Sequence, residues 1–226
     1  TQPGYEVLVR MLGEDGRIIP PGAFMPAAER YDLASAIDRW VVGNFLAWLG
    51  DYSRRHGGAL GSYSINLSAA SIGEESFLDF VLAAIERHGV PAQLICFEIT
   101  ETSAIANLNK AIVFMQRLKD IGCQFALDDF GSGLSSFAYL KSLPVDFLKI
   151  DGVFVKDIVA DPIARAMVAS INTIGHEMGL QTVAEFVETE AILDQLRELG
   201  VDYAQGYFLG HPQPLSELDG VRMMPR

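Results

Sequence analysis

The sequence predicts an α/β fold of the barrel type, in which parallel strands alternate with helices, and three observations support this class. Short segments rich in Val, Ile and Phe alternate with longer segments at helical spacing, as in repeated strand–helix units around a parallel sheet. Apolar residues make up 50% of the 226 residues, enough to bury a large core. Each predicted strand also carries an acidic, amide or lysine side chain, and parallel barrels collect their chemistry at the carboxyl ends of their strands.

Seven segments are predicted to be strands, because they are short, apolar and bounded by turn or helix signals. They are YEVLVRM at 5–11, SYSINLS at 62–68, LICFEIT at 94–100, QFALDDF at 124–130, VDFLKID at 145–151, LQTVAEF at 180–186 and DYAQGYF at 202–208. The segment from Ala34 to His56 carries an apolar stripe that predicts a helix packed on the barrel exterior. Two further helices, FLDFVLAAIERHG and ARAMVASINTIGHEMGL, each reach a glycine of the kind that ends helices.

A closed barrel of this class has eight strands, one more than the sequence shows. Because the first predicted strand begins only five residues in, we expect an N-terminal strand to lie outside this chain. The alternative is an open doubly wound sheet, but no glycine-rich phosphate loop follows the first strand. No linker, repeat or low-complexity segment divides the chain, which predicts one domain over residues 1–226.

The charge of the chain restricts its partners. Lys and Arg total 17 against 29 acidic residues, a formal charge of −12, which argues against binding to polymeric nucleic acid. A small phosphorylated ligand stays compatible with this charge if metal ions or a few local basic groups offset the acidic field.

The remaining composition predicts a cytoplasmic domain. Cys96 and Cys123 are too few for a disulfide framework and have no zinc-type spacing, so we expect buried, inert thiols in a reducing compartment. No apolar run reaches the roughly 18 residues that span a bilayer, so no membrane contact by this domain is predicted. The domain could still be the cytoplasmic part of a membrane-anchored parent.

The polar residues of the predicted strands form the candidate site. They are Glu6, Asn66, Glu98, Asp128 with Asp129, Lys149 with Asp151, Glu185 and Gln205. Each one alone could cap a helix or pair with a surface base, but seven strands with such residues favour convergence on one area. Oxygen ligands without histidine suit Mg2+ or Mn2+ better than zinc, and the four histidines fall in predicted helix ends or loops.

The adjacent carboxylates Asp128 and Asp129 repel each other, so positive charge is expected beside them.

Alternation along the first predicted strand puts Glu6, Leu8 and Arg10 on one face. A carboxylate and a guanidinium could therefore share a pocket.

Together these segments resemble the EAL phosphodiesterases, which hydrolyse the bacterial second messenger cyclic di-GMP. The resemblance covers almost the whole chain and is carried, in family order, by YEVLVR, SINLS, FEITET, DDFGSGLSSFAYL, LKIDG, VAEFVET and AQGYFLGHPQP. It implies a modified TIM-type (β/α)8 barrel in which one strand is antiparallel, with the family's first strand just upstream of this chain. Val7, Phe186 and Ser132 depart from residues common in the family, but none of the three positions supplies a metal ligand in its pattern.

The resemblance also implies the roles of the site residues. Metal ligands would be Glu6, Asn66, Glu98, Asp128 and Asp129, holding two Mg2+ or Mn2+ ions. Lys149, Glu185 and Gln205 would be catalytic, and Arg10, Leu8 and Gln205 would contact substrate. Supporting residues would be Glu101, which anchors the loop FGSGLSSFAYL, together with Asp151 and Glu188.

The activity implied is hydrolysis of cyclic di-GMP to linear pGpG by a water that two metal ions activate. The resemblance further implies a homodimer formed through that loop and fused sensory or GGDEF domains in a parent protein. The main alternative is an inactive receptor for cyclic di-GMP, which is disfavoured because every ligand that can be aligned is kept. A barrel enzyme acting on sugars or simple phosphorylated metabolites is a third possibility, and no motif favours it.

Overall fold

The computed structural model describes residues 4–58, 61–131 and 137–218. In chain order the elements are β1 (Gly4–Val7), β2 (Met11–Leu12), β3 (Ile18–Ile19), α1 (Pro21–Arg30), α2 (Ala34–His56), β4 (Ser62–Leu67), α3 (Ala69–Ile72), α4 (Glu75–His88), a 3-10 turn (Ala92–Leu94), β5 (Ile95–Thr100), α5 (Glu101–Ala106), α6 (Leu108–Lys119), β6 (Gln124–Phe130), α7 (Phe137–Leu140), β7 (Phe147–Ile150), α8 (Gly152–Val155), α9 (Pro162–Glu177), β8 (Gln181–Ala184), α10 (Glu190–Leu199), β9 (Tyr203–Ala204) and α11 (Leu215–Leu218). The alternation of strands and helices confirms the predicted α/β class.

Seven strands hydrogen-bond in the order β1-β4-β5-β6-β7-β8-β9, and the pairs β1–β4, β6–β7, β7–β8 and β8–β9 are parallel. β2 and β3 form a separate antiparallel hairpin. The described chain divides into two compact units, with β5 beginning in the first and ending in the second.

The first unit contains the residues up to Glu98 and Asn107–Gln124. Its helix α2 has the bounds that the sequence predicts, and it ends at Gly57 in the left-handed conformation. α2 crosses α4 closely at Gly50, where a Cβ would lie 2.4 Å from the carbonyl oxygen of His88. The core beneath is aromatic and includes Phe45, whose ring centroid lies 5.3 Å from that of Tyr63 on β4.

The second unit contains Ile99–Ala106 and Phe125–Glu217. β7 and β8 pair in parallel with Lys149 opposite Val183. Helix α9 packs on β8, where Gly175 allows close approach because its Cβ would lie 2.8 Å from Thr182 Cγ2. Buried strand residues such as Leu148 and Ala184 form the core, so polar groups on these strands require specific partners.

Several predicted strand bounds were wrong at their ends. The first strand stops at Val7 instead of continuing to residue 11, because the chain turns there toward the β2–β3 hairpin. The last strand keeps only Tyr203–Ala204 of the predicted 202–208, because a turn begins at Gly206. Strands β7 and β8 are also shorter than predicted at both ends.

Both cysteines are buried thiols, as predicted. Burial raises the pKa of Cys123 to about 12, which keeps this thiol protonated and unreactive at neutral pH. Among the described residues, no helix combines the length and apolarity needed to cross a membrane.

Candidate metal centre and active site

Three carboxylates of the second unit form a tight cluster. Ligand oxygens of Asp128, Asp129 and Glu185 all lie within 4.8 Å of one another. Asp128 and Asp129 belong to β6, and Glu185 directly follows β8. The carboxyl ends of parallel strands meet at one edge of a sheet, so the strand-end rule predicted this neighbourhood.

A local irregularity explains how two adjacent aspartates can enter one cluster. Successive side chains of a regular strand point to opposite faces, which would separate Asp128 from Asp129. The β6–β7 register shifts between Leu127 and Phe130, and Asp129 has a φ of 55°. The left-handed backbone thus breaks the alternation and brings both carboxylates toward Glu185.

Lys149 supplies positive charge at this cluster. Its Nζ lies 3.2 Å from Asp128 Oδ1 and 2.8 Å from Glu185 Oε1. The lysine side chain is only 2% exposed, so both ion pairs act with little screening by water. The expectation of positive charge beside the paired aspartates is therefore met by this lysine.

The electrostatics of Asp129 favour the entry of a cation. Burial raises the pKa of Asp129 above its ordinary value, and the charges of Asp128 and Asp151 raise it further, while Lys149 lowers it. One lysine therefore leaves part of the carboxylate repulsion uncompensated. A set of clustered carboxylate oxygens is the chemistry that binds hard divalent cations, so these residues could hold a metal ion.

Asp151 and Gln205 flank the cluster in different ways. Asp151 caps α8, and its Oδ1 accepts a hydrogen bond of 2.8 Å from the backbone N–H of Val153. Gln205 follows β9, and its backbone N–H donates to the carbonyl of Ala184 at 2.8 Å. The carbonyl of Gln205 accepts from the N–H of Val187 at 2.9 Å, so its backbone is fixed beside the segment that carries Glu185.

Glu101 anchors the segment that follows β6. Its side chain is buried and accepts hydrogen bonds from the backbone N–H of Gly131, at 3.4 Å, and from the hydroxyl of Tyr139. The middle of the predicted loop, residues 132–136, lies outside the described residues, and the prediction about Ser132 lies there too. Glu188 lies exposed in the segment before α10.

In the first unit, Glu6 and Asn66 come together. Parallel pairing sets Glu6 opposite Ser64, and Asn66 Nδ2 donates to Glu6 Oε1 at 2.6 Å. Glu98 lies on β5 and is buried. Burial of a carboxylate inside an apolar strand requires compensation, which is consistent with a functional role for Glu98.

Strand alternation does not support the predicted shared face of Glu6, Leu8 and Arg10. β1 ends at Val7, so strand alternation does not extend to Leu8 or Arg10. Arg10 Nη1 donates to the carbonyl of Val9 at 2.8 Å. Leu8 is 40% exposed and lines a cavity of about 190 Å3 together with Asn66.

Sequence reasoning missed two polar residues. Asp38 lies buried in α2 beside the same cavity, and its Oδ2 accepts from Ser68 N at 2.8 Å and Ser71 Oγ at 2.7 Å. Burial raises the pKa of Asp38, although these hydrogen bonds lower it in part. The sequence signal that could have identified Asp38 is a single carboxylate within the apolar stripe of α2.

The second missed residue is Tyr139. It lies within the motif FGSGLSSFAYL, but its spacing does not distinguish it from the other residues of that motif.

Parallel strands that end in clustered carboxylates around a buried lysine define an α/β protein with a candidate metal site. The family model described as "EAL domain" matches residues 2–212, and the chain belongs to this family. The recognition made from the motifs is therefore confirmed.

Two curated relatives are similar over nearly all of this chain. "Cyclic di-GMP phosphodiesterase PdeB" of Shewanella oneidensis is 44% identical over 211 residues, covering 93% of this chain and 24% of the relative. "Cyclic di-GMP phosphodiesterase PdeF" of Escherichia coli is 37% identical over 222 residues, covering 96% of this chain and 30% of the relative. The chain thus spans between about a quarter and a third of the length of these relatives.

Solved structures confirm the fold class. The structure described as "PaMucR Phosphodiesterase, c-di-GMP complex" matches with a TM-score of 0.87 at 34% identity, covering 94% of this chain and 86% of that chain. The FimX EAL domain from Pseudomonas aeruginosa bound to c-di-GMP matches with a TM-score of 0.86 at 32% identity. The match covers 94% of this chain and 84% of that chain.

Proposed function

We propose that this chain is a metal-dependent phosphodiesterase that hydrolyses cyclic di-GMP to linear pGpG. The observation that carries the proposal is the cluster of Asp128, Asp129 and Glu185 around the buried ammonium of Lys149. The names of the two curated relatives and the ligand of the two solved structures supply the substrate class.

The carboxylates of Asp128 and Asp129, with Glu6, Asn66 and Glu98, are the proposed ligands of two Mg2+ or Mn2+ ions. Such ions supply positive charge that stabilises a phosphoryl group under attack and make water a better nucleophile at neutral pH. A cation held at Asp129 would offset the burial and the neighbouring negative charges that raise the pKa of this carboxyl group.

Lys149 and Glu185 are the proposed proton-handling pair. Their 2.8 Å contact fixes the Glu185 carboxylate, which can accept a proton from an attacking water. The ammonium of Lys149 orients that water by donating a hydrogen bond to it. Gln205, fixed through its backbone beside Ala184, is proposed to position the water or a ligand group.

Substrate contacts are proposed at Leu8 and Arg10. Leu8 lines a largely apolar cavity that can receive part of the ligand, and the guanidinium of Arg10 suits a phosphate through paired hydrogen bonds. Asp151, Glu101 and Glu188 are proposed to support the site. Asp151 acts electrostatically on Asp129, and Glu101 holds Gly131 and Tyr139.

The test is turnover of cyclic di-GMP by the purified chain with Mg2+ or Mn2+, with linear pGpG followed by chromatography. Glu185→Gln removes the proton acceptor and keeps the shape of the side chain, so we expect the rate to fall about 100-fold or more. Asp194→Asn is the matched control, because its exposed pair with Arg197 lies on the surface of α10. Equal rates for Glu185→Gln and the control would overturn the assignment of Glu185.

The competing function is a receptor that binds cyclic di-GMP without hydrolysing it. Binding by calorimetry with no pGpG under either metal would support the receptor and contradict the enzyme. Hydrolysis of simple phosphate esters without binding of cyclic di-GMP would instead favour the third candidate. A homodimer, fused sensory or GGDEF domains and a cytoplasmic location stay predictions.

A further inference from the structure

Glu101 is a buried carboxylate that two donors hold by different oxygens. A buried carboxylate requires donors that stabilise its charge. The backbone N–H of Gly131 donates to Oε2, but the distance of 3.4 Å is long for a hydrogen bond between nitrogen and oxygen. The hydroxyl of Tyr139 donates to Oε1 of the same side chain. The weak contact with Gly131 thus depends on a second donor that keeps the carboxylate in place.

Tyr139 is well placed to be that donor. It lies in α7 next to the buried Leu140, and its carbonyl accepts from the backbone N–H of Ser142 at 2.8 Å. Burial raises the pKa of Tyr139, and the hydrogen bond to Glu101 and the charge of Glu101 raise it further. The hydroxyl therefore keeps its proton at neutral pH and stays a donor to the carboxylate.

The backbone of Gly131, which Glu101 contacts, is also packed against two helices. Gly131 has a φ of 100°, and a Cβ at this position would lie 2.9 Å from Phe154 Cε2 and 3.0 Å from Ile171 Cδ1. Side chains of α8 and α9 are therefore in close contact with the glycine backbone. Because packed interiors leave little free space, this backbone has few other positions while both contacts persist.

Gly131 directly follows the strained end of β6. Asp129, two residues earlier, has a φ of 55°, a conformation that persists only where the surrounding structure maintains it. The ligand oxygens of Asp128, Asp129 and Glu185 lie within 4.8 Å of one another in this conformation. A fixed backbone at Gly131 restricts the alternatives open to Asp129. The contacts of Glu101 therefore help to place a proposed metal ligand.

We infer that Tyr139 is a positioning residue for the candidate metal centre, acting through Glu101 on the backbone that carries Asp129. The inference rests on the proposed function, because it takes the divalent ion from there. Groups that orient metal ligands without touching the metal typically change metal affinity or activity by about 10- to 100-fold when they are removed. The Tyr139 hydroxyl should therefore affect ion binding, although it lies outside the carboxylate cluster.

The test removes this hydroxyl alone with Tyr139→Phe. Tyr203→Phe is the matched control, because the Tyr203 hydroxyl accepts a hydrogen bond of 3.3 Å from Gln181 at an exposed position. The Kd for Mn2+ is measured by calorimetry without nucleotide, and kcat and KM are measured with cyclic di-GMP. We expect Tyr139→Phe to raise the Kd for Mn2+ about tenfold and to lower kcat, with KM within about twofold of the wild type. The control should change none of these values.

A second comparison shows whether the effect passes through Glu101. Glu101→Met keeps the approximate length of the side chain and removes the acceptor, so Tyr139→Phe should have no further effect on Mn2+ binding in that background. An equal loss of affinity in both backgrounds would contradict the inference. A lower Tm in EDTA with an unchanged Kd for Mn2+ would also overturn it, because Tyr139 would then only stabilise the fold.

The outcomes separate this inference from the proposed function. If the wild type hydrolyses cyclic di-GMP and Tyr139→Phe keeps the wild-type Kd for Mn2+, the positioning role is wrong and the phosphodiesterase assignment stands. If the wild type binds Mn2+ without hydrolysing cyclic di-GMP, the proposed function fails, and the Kd for Mn2+ still decides the role of Tyr139. If the wild type binds no Mn2+, both fail.

Discussion

At the scale of single residues, Lys149 forms ion pairs with two carboxylates of the candidate site. Its buried Nζ lies 3.2 Å from Asp128 Oδ1 and 2.8 Å from Glu185 Oε1, so its positive charge compensates the negative charges of both carboxylates. Lys149→Met would leave two largely buried carboxylates without that charge, and breaking a buried pair in this way costs about 3 kcal/mol. We expect the free energy of unfolding in EDTA to fall by about this amount and hydrolysis to be lost. Urea denaturation and the pGpG assay measure the two effects.

A double-mutant cycle shows whether that cost arises from the ion pair. Glu185→Gln removes one of the carboxylates that Lys149 compensates, so the double variant should be more stable than the sum of the two single losses predicts. Additive losses, within about 0.5 kcal/mol, would mean that the lysine stabilises the unit by packing and not by charge.

At the scale of elements, the β8–β9 edge depends on a backbone approach at Gly206. The carbonyl of Val187 accepts from the N–H of Phe208 at 3.0 Å, and a Cβ on Gly206 would lie 2.3 Å from the nitrogen and oxygen of Val187. Backbone atoms cannot move aside as a flexible side chain can, so Gly206→Ala should lower the free energy of unfolding by at least ~2 kcal/mol. Gly210→Ala is the control, because a Cβ there meets nothing within 4 Å. Equal stability of the two variants would contradict this account.

The opposite end of β8 should respond to acid through Asp202. Burial raises the pKa of Asp202, but hydrogen bonds from the Thr182 backbone, His176 and the Thr182 hydroxyl outweigh it and leave the pKa below its ordinary value of 3.8. A lowered folded pKa gives stability that is present above the unfolded pKa and is lost as pH falls through the folded one. We expect the stability lost in Asp202→Asn to be largest above about pH 5 and to shrink below about pH 3.8.

Chemical denaturation across that pH range measures the difference between the wild type and Asp202→Asn. Asp194→Asn serves as the control, because Asp194 pairs with Arg197 at the surface with 59% of its side chain exposed. Its effect should stay small at every pH. A constant difference for Asp202→Asn, independent of pH, would show that lost packing and not charge explains the effect.

At the scale of the whole molecule, the sequence predicted the bounds of a helix or strand well where the same pattern of apolar residues continues along its whole length. The apolar runs of β4 and β6 and the stripe of α2 gave bounds within a residue or two of those observed. It failed where a turn interrupts an apolar run, as after Val7 and at Gly206, because composition stays strand-like while the backbone changes direction. The strand-end rule predicted the carboxylate neighbourhood. The left-handed backbone at Asp129 and the double contact of Lys149 depend on tertiary register, which no local pattern contains.

Because of the carboxylate cluster, divalent ions should increase the stability of the whole folded chain, measured as Tm. An ion that binds only the folded state at about a hundred times its Kd adds about 2.7 kcal/mol. For a chain of this length each kcal/mol shifts Tm by about 2 to 4 °C, so Mn2+ should raise Tm by about 5 to 10 °C. Asp129→Asn should lose most of this rise, and Asp194→Asn should keep it. Differential scanning calorimetry with and without EDTA makes the comparison, and an equal rise in both variants would locate the ion elsewhere.

The rise in Tm caused by Mn2+ should depend on pH, and the titration of Asp129 determines whether it grows or shrinks as pH increases. A raised folded pKa gives stability that is present below the unfolded pKa near 3.8 and is lost as pH rises through the folded value. Above the folded pKa of Asp129 its ionised carboxylate is repelled by the neighbouring carboxylates. A bound cation reduces this repulsion, as protonation of Asp129 does in acid. The rise in Tm caused by Mn2+ should therefore grow as pH increases from about 4 toward neutrality and then level off. A rise that is already complete at pH 4 would mean that Asp129 is ionised there without the ion, which would contradict the raised pKa of this group.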